Sequence, residues 1–383
     1  MSESIKTLSV SCHCGTNTHT FQAPLTSLPL ATNLCNCNIS RRISGSLLTS
    51  YINITHPTIS NPIPPKPVLS SLTPYKSSSV LTRHFCSTCG THMYLEYHDD
   101  GHFEVATGTL QAERTDDLVD FKSIMWISDT IDGGASHFIT HISSKELPRY
   151  LQGNEFTNTP QTSLYWNSSP NSPSPPTHRL TPIPAHCHCT GVQFWITPPD
   201  SSSYTATSPY PDLLIPYNSP VSSGNPSNEP WWLPTPTHYL AGTCTCHSCR
   251  RASGFDIIFW AFIPTSNIFQ DAGCTIPFSR NDGKYWGSMK RYESSAGVAR
   301  TFCGSCGANV FWDGRETLVD VAVGLLDAED GTRAEERLVW CAERVSFGEE
   351  GVHRGLVGGL ESGLRVWGKR DRDLIEDEGR QQD

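Results

Sequence analysis

The sequence predicts two tandem, mainly β domains, each built of small antiparallel sheets. Three observations carry that expectation. The cysteines recur in the same three-cluster layout in both halves of the chain; short β-branched and aromatic runs lie between Gly and Asp turns; and no segment sustains a long 3.6-residue period.

The repeat is the firmest of the three. The first copy holds Cys12/Cys14, Cys35/Cys37 and Cys86/Cys89; the second holds Cys187/Cys189, Cys244/Cys246/Cys249 and Cys303/Cys306. The flanks match as well. Tyr75-Lys76-Ser77-Ser78 and Tyr292-Glu293-Ser294-Ser295 each begin 11 residues before the last cluster, Arg83 and Arg300 stand three residues before it, and Phe85 and Phe302 immediately precede it. Arg41-Arg42-Ile43-Ser44-Gly45 answers Arg250-Arg251-Ala252-Ser253-Gly254. The period is far longer than that of a solenoid repeat, so the copies are domains and not members of an array.

The expected boundaries are 8–150 and 181–368. A linker rich in Ser, Thr, Asn and Pro (151–180) joins them, and a charged tail (369–383) is expected to fray. A Pro- and Ser-rich insertion, 198–236, lies inside the second copy between its first two cysteine clusters. The Trp231-Trp232 pair at its end is expected to pack back on the domain. The strand candidates are 92–97 and 103–110 in the first copy, and 257–263, 309–312 and 318–325 in the second.

Composition narrows the function. At 383 residues, with 37% hydrophobic and 17% charged residues, each half can bury a core while carrying much uncharged polar loop. A net charge of −10 without a basic stripe argues against a nucleic-acid partner. Residues 1–10 contain no apolar leader segment, and no run reaches the ~18 apolar residues that span a bilayer. A cytoplasmic protein with no membrane partner is expected. In that compartment 15 cysteines, an odd number, point to metal and not to disulfides. Cys-x-Cys neighbours are also poor disulfide partners, because the bond needs Cβ atoms about 3.8 Å apart at a fixed torsion.

Cys86-Ser87-Thr88-Cys89-Gly90 and Cys303-Gly304-Ser305-Cys306-Gly307 are zinc-knuckle turns, with two residues between thiolates and a glycine that suits a turn exposing N–H groups to sulfur. Paired with Cys12/Cys14 and Cys187/Cys189, they give two Cys₄ structural zinc sites that stabilise a thin core. The cluster Cys244, Cys246, Cys249 differs. It has three thiols and no obvious fourth ligand, although His247 could serve, and three protein ligands with one open position is the stoichiometry of a reactive zinc. With three thiolates such an ion carries net charge −1. It is a weak Lewis acid, better suited to holding a thiolate or orienting a carbonyl than to making hydroxide.

Arg250 and Arg251 follow at once, and two readings stand level for them: carboxylate recognition, or solvated surface charge. Tyr292 and Arg300 recur in both copies, which suits a role in the fold. In the first copy Ser40 stands where the third thiol should be. That copy is expected to keep its structural zinc and to have lost, or nearly lost, the reactive one, with Cys35 and Cys37 binding weakly or not at all. Cys274 and Cys341 match no cluster and are expected to be ordinary buried thiols.

The pattern resembles the family that includes glutathione-dependent formaldehyde-activating enzymes and centromere protein V. The residues that carry the resemblance are Cys187-His188-Cys189, the run from Cys244 through Cys246, Cys249, Arg250 and Arg251 to Gly254, Phe302 to Gly307, and a closing strand-like Val323-Gly324-Leu325-Leu326-Asp327. It covers residues 8–150 and 183–345. The resemblance implies a β-tent (Mss4-like) zinc fold with two zincs per intact domain. Cys187, Cys189, Cys303 and Cys306 would hold the structural ion, and Cys244, Cys246 and Cys249 the catalytic one. It also implies carbon–sulfur lyase chemistry: a small thiol such as glutathione adding to formaldehyde, or the reverse.

On this reading the chain is a zinc-dependent lyase with its active site in the second domain, where Arg250 and Arg251 hold the thiol's carboxylates. The alternative is a non-catalytic zinc-stabilised binding module or a thiol- or metal-sensing protein. Two departures bear on the resemblance: Ser40, and the insertion beside the presumed site.

Overall fold

A computed structural model describes residues 4–55, 66–153, 158–168, 181–209, 213 and 224–380, with side chains of the last helix described to Lys369. Of the expected linker, residues 154–157 and 169–180 lie outside the described residues, as do 210–212 and 214–223 of the insertion.

The architecture is mainly β and repeats itself. In the first half, a five-stranded antiparallel sheet runs in the order Tyr51–Asn53, Phe103–Ala106, His92–Tyr97, Leu81–Cys86, Leu72–Lys76. Beside it, Leu30–Cys35 pairs in parallel with Val119–Met125. The second half joins the same seven strands into one sheet. Its order is Met289–Ser295, Val298–Cys303, Asn309–Asp313, Leu318–Ala322, Ile258–Pro264, Tyr239–Cys244, Leu338–Trp340, and the last pair is again parallel. The join comes from Ile258–Pro264, a seven-residue apolar strand that is buried throughout and pairs on both edges. Its counterpart Tyr51–Asn53 is three residues long and pairs on one edge. An N-terminal hairpin opens each half: Ile5–Ser11 with Thr18–Pro24, and Ile183–His186 with Gln193–Ile196.

The halves pack on one continuous apolar core. Near the junction Phe85 and Phe302 meet edge-to-face at 6.3 Å. The glycine after each knuckle makes room for the other half's ring: a Cβ on Gly90 would run into Phe302, and one on Gly307 into Phe85. Both glycines have left-handed φ, +78° and +83°, and both direct their N–H to a carbonyl, Cys86 O and Cys303 O. The turn of the second knuckle also presents a backbone N–H to sulfur, as the sequence reading expects, through Cys306 N–H to Cys303 Sγ at 3.5 Å.

Two short helices follow the middle cysteine clusters: α1, Asn38–Ser44, and α2, His247–Ser253. Each ends in a left-handed glycine, Gly45 or Gly254, whose carbonyl accepts from a backbone N–H of the opposite half, Gly324 or Gly108, at 2.9 Å in both cases.

A third helix, α3, spans Arg354–Arg380. Sequence reading missed it and took its end for a frayed tail. The reason is composition: Gly355, Gly358, Gly359, Gly363 and Gly368 each lower helix propensity by up to about 1 kcal/mol relative to Ala. Packing explains three of them. A Cβ on Gly359 or Gly363 would collide with the carbonyls of His141 or Phe138 in the first half, and one on Gly368 with Ala342. The helix starts on the first half as well, where Asp116 accepts from the N–H groups of Arg354 (3.2 Å) and Gly355 (2.8 Å) and Phe138 stacks edge-on to Trp367 at 5.0 Å. Leu356, Leu360 and Leu364 supply a buried stripe at helical spacing. Among the described residues no helix is long and apolar enough to cross a membrane.

Trp231 and Trp232 pack back on the second half as expected; Trp232 is fully buried and donates to the Ser203 carbonyl at 3.0 Å. Cys341 is buried, but Cys274 is half-exposed, in a turn after residue 271, and the expectation of a buried thiol there is corrected.

The glycines of α3 give a paired test. Gly359→Ala is expected to cost about 1–3 kcal/mol by overpacking, while Gly358→Ala, with nothing within 4 Å of its added Cβ, gains up to about 1 kcal/mol of helix propensity. Urea unfolding of the two variants decides it; equal shifts in midpoint would refute this account of the helix.

Candidate metal centres

Two four-thiol clusters form at the ends of strands. Cys12 and Cys14 leave the first hairpin strand, Cys86 closes Leu81–Cys86, and Cys89 sits in the knuckle before His92–Tyr97. Their sulfur atoms lie within 4.8 Å of one another, with Cys12–Cys14 at 3.5 Å and Cys14–Cys86 at 3.7 Å. Cys187, Cys189, Cys303 and Cys306 repeat the arrangement, with Cys187–Cys189 and Cys189–Cys303 both at 3.5 Å. A tetrahedron of zinc–sulfur bonds of about 2.3 Å places its sulfurs about 3.8 Å apart, and a disulfide would need about 2.05 Å. All fifteen thiols are free, so the spacing fits a tetrahedral ion and not a bridge. Backbone N–H groups support the sulfurs: Asn17 donates to Cys12 (3.3 Å), Val192 to Cys187 (3.4 Å), and Cys306 to Cys303 (3.5 Å).

The third cluster sits where Tyr239–Cys244 runs into α2. Cys244 ends the strand. Cys246 is the N-cap of the helix, its sulfur accepting from the Cys249 N–H at 3.2 Å, and Cys249 lies in the first turn. The three sulfurs lie within 4.8 Å, and among the described residues no further His, Cys, Asp or Glu joins them. His247 is not a fourth ligand: its ring is exposed, and its N–H donates to Glu350 at 2.8 Å. The Arg300 guanidinium is buried against the cluster, donating to Cys249 Sγ at 3.4 Å and to Ser248 Oγ at 3.1 Å. The Cys249 thiol is pulled well below its usual range, first by hydrogen bonds from Cys244 and Cys246 and then by the Arg300 charge.

The first half builds the same helix cap with a hydroxyl in place of the third thiol. Cys37 caps α1 and accepts from the Ser40 N–H at 3.3 Å. Cys35 Sγ lies 3.7 Å from Ser40 Oγ, and Arg83 donates to that oxygen at 3.1 Å as Arg300 does to Cys249. Cys35 and Cys37 are thus brought together, but two thiols and a hydroxyl do not make the three-thiol set.

Both clusters open on a cavity. The second-half cavity, about 500 Å³, is lined by Cys244, Cys246, Cys249, Ser248 and Arg300 on one side and by Trp260, Phe262 and Trp312 on another. Asp320 also lines it, but its carboxylate is tied to Arg315 at 2.7 Å. The first-half cavity, about 390 Å³, is lined by Cys35, Cys37, Ser40, Arg83, Tyr51, Tyr97 and Glu104. Burial pushes the Glu104 carboxyl up to about 7.

Arg250 and Arg251 do not reach the cavity, and neither sequence reading describes them. Arg250 is buried, and its Nη1 donates to the carbonyls of Gly108 (2.7 Å) and Leu110 (3.0 Å); Arg251 donates to the Cys12 carbonyl at 2.8 Å. Arg41 and Arg42 mirror them: Arg41 donates to Gly324 O (3.1 Å) and Leu326 O (2.8 Å), and Arg42 to Leu325 O (2.7 Å) and the Asp327 carboxylate. All four are struts between the halves. Arg300 and Ser248 are the site residues that sequence reasoning missed. The signal was the Arg83/Arg300 match, read as fold alone.

A sequence model of the glutathione-dependent formaldehyde-activating enzyme family matches residues 7–127 and again 235–343, together more than half of the chain. The chain belongs to that family. Searches of curated proteins and of solved structures return no match. The two matched segments fall one in each half, so family membership and the internal repeat agree. Each matched segment contains one helix-capping cysteine cluster and one knuckle, while Cys187 and Cys189 lie before the second matched segment.

Because the frame around Ser40 is intact, Ser40→Cys is expected to raise bound zinc by one ion per chain. Elemental analysis of purified protein checks this, and an unchanged count would mean that the first half excludes the ion for some reason other than the missing sulfur.

Proposed function

We propose that the chain is a zinc-dependent carbon–sulfur lyase-type enzyme acting on the adduct of a small thiol with a small aldehyde, glutathione with formaldehyde being the pair named by its family, with the active site in the second half. The observation that carries this reading is a set of three thiols, Cys244 and Cys249 buried and Cys246 half-buried, without a fourth protein donor among the described residues, facing a cavity of about 500 Å³. A zinc ion bound there would supply a coordination position for a thiolate or a carbonyl oxygen.

The remaining roles belong to the chain. The reaction adds R–SH across H₂C=O: the S–C bond forms, the carbonyl π bond breaks, and the thiol proton ends on the oxygen, so no oxidant or reductant is needed. Arg300 offsets the negative charge of the thiolates and fixes Cys249. Trp260, Phe262 and Trp312 form an apolar wall that keeps water from competing for the aldehyde, and holding both reactants in one cavity supplies proximity. Asp320 is engaged by Arg315 and is not a free base. Glu350 takes the His247 N–H at the start of α2 as Asp129 takes the Asn38 N–H at the start of α1, at 3.0 Å, so we assign it to holding the helix. Arg250 and Arg251 act here as struts that keep Cys246 and Cys249 in place, and not as the carboxylate clamp.

Adduct formation from glutathione and formaldehyde, followed by NMR against the spontaneous rate, tests the reading. Cys249→Ser is expected to abolish the enzymatic rate and remove one zinc while the circular dichroism stays unchanged. Arg300→Gln is expected to lower the rate about 10–100-fold, as loss of a group that orients a metal ligand does. A wild-type protein that carries the ion and is no faster than buffer would return the non-catalytic binding module.

A further inference from the structure

The two arginines that face the middle clusters are held differently. In the first half all three parts of the Arg83 guanidinium have partners: Nε donates to Ser77 Oγ (3.3 Å), Nη1 to Tyr51 OH (3.2 Å) and Nη2 to Ser40 Oγ (3.1 Å). In the second half the residue at the position of Tyr51 is Trp260, which has no hydroxyl, and the buried Nε of Arg300 has no hydrogen-bond partner among the described residues. Nη2 is anchored, to Cys249 Sγ and to Ser248 Oγ. A buried guanidinium with so few partners keeps its orientation only if those partners are themselves fixed.

Ser248 is fixed from outside its own half. Its Oγ lies 3.1 Å from Nε2 of His13, the residue between Cys12 and Cys14 in the first half, and Nδ1 of His13 lies 2.8 Å from the hydroxyl of Tyr292. Ser248 Oγ accepts from Arg300 and keeps a proton and a second lone pair, so either tautomer of the His13 ring links it to the Tyr292 hydroxyl. The mirror-related contact exists but stops short. His188, between Cys187 and Cys189, meets Tyr75 OH at 2.6 Å, but the position matching Ser248 is Ile39, which has no hydrogen-bonding group to offer.

We propose that His13, supplied by the first half, is a positioning residue for the second half's three-thiol site: through Ser248 it holds Arg300 against Cys249. The first half then completes the site of the second, and not the reverse. This rests on the reading of Cys244, Cys246 and Cys249 as a zinc site.

The test uses the full-length, zinc-loaded chain and a chromogenic chelator in competition for zinc, the relevant ion being the one lost in Cys249→Ser. His13→Ala is expected to weaken zinc binding at that site about tenfold, the low end for removing a group that orients a metal ligand. Ser248→Ala should do the same, and the double variant should be no weaker than either single, since the two act through one chain of contacts. His188→Ala removes the mirror-related contact and should leave this affinity unchanged. Equal effects of His13→Ala and His188→Ala would overturn the proposal, as would additive effects of His13→Ala and Ser248→Ala. If His13→Ala does not fold, Ser248→Ala alone decides, and an unchanged affinity in it refutes the role. A wild-type chain that binds the ion at these thiols without turnover defeats the lyase reading and leaves this readout intact, so the two failures are distinguishable.

Discussion

A buried guanidinium must find acceptors, and for the arginines of α1 and α2 the main-chain acceptors belong to the opposite half. Arg41, Arg42 and Arg250 are buried, and their N–H groups go to main-chain carbonyls in the turns 108–110 and 324–326. Leaving one such charge without partners would cost several kcal/mol. Burial pulls Arg41 down to about 9, still charged at neutral pH, and carbonyl oxygens supply what solvation it keeps. Each arginine pair lies on the helix that carries the CxC-cap cysteine. The struts that join the halves therefore also set the position of the thiols, and the metal sites and the domain interface are one construction.

That coupling bears on why a half with a broken cluster keeps its shape. Ser40 removes a sulfur from the first half, yet α1, its arginine struts and a cavity of about 390 Å³ all remain. The strands that line this cavity are also the strands that present Phe85 and Gly90 to the second half. Collapsing it would move the surface on which α2 and its thiols rest. The first half can lose its third thiol by a single atom, but it cannot lose its packing without disturbing the thiols of the second.

Much of this was legible in the sequence, because cysteine spacing is a local constraint. Two residues between thiolates fix a knuckle, and so the grouping of Cys12 and Cys14 with Cys86 and Cys89, and of Cys187 and Cys189 with Cys303 and Cys306, could be read before any coordinates. The same holds for the missing sulfur at Ser40 and for most of the strands, whose β-branched and aromatic runs are short-range signals; the runs 103–110 and 318–325 are corrected, since they stop as strands at Ala106 and Ala322 and turn as 3-10 helices over Thr107–Thr109 and Val323–Leu325, where a closing strand was expected. What was not legible depends on what lies across an interface. Arg250 and Arg251 look like a carboxylate clamp or like surface charge until the first half is seen covering them. The glycines of α3 read as breaks in a helix, because the carbonyls of Phe138 and His141 that require them are more than 200 residues away in sequence. Ser248 has no local signature at all; its partners are Arg300 and a histidine in the other half.

The comparison of the two halves serves as an internal control on which contacts belong to the fold and which to the site. A contact present in both, such as the arginine struts, the left-handed glycines 45 and 254, or the histidine–tyrosine pairs His13–Tyr292 and His188–Tyr75, is required by the way the halves join. A contact present in only one needs another reason. Three such differences fall in one small volume: Cys249 for Ser40, Ser248 for Ile39, and Trp260 for Tyr51. The tryptophan takes away an anchor of the arginine and gives the cavity an apolar wall, the serine restores an anchor through the other half, and the cysteine supplies the charge that the arginine faces. Substituted singly, two of these changes leave Arg300 short of partners or short of a counter-charge. Together they turn an arginine that braces a pocket into one that faces a cysteine sulfur, so the difference in side-chain chemistry between the two cavities is concentrated at the start of α2 and the strand beside it.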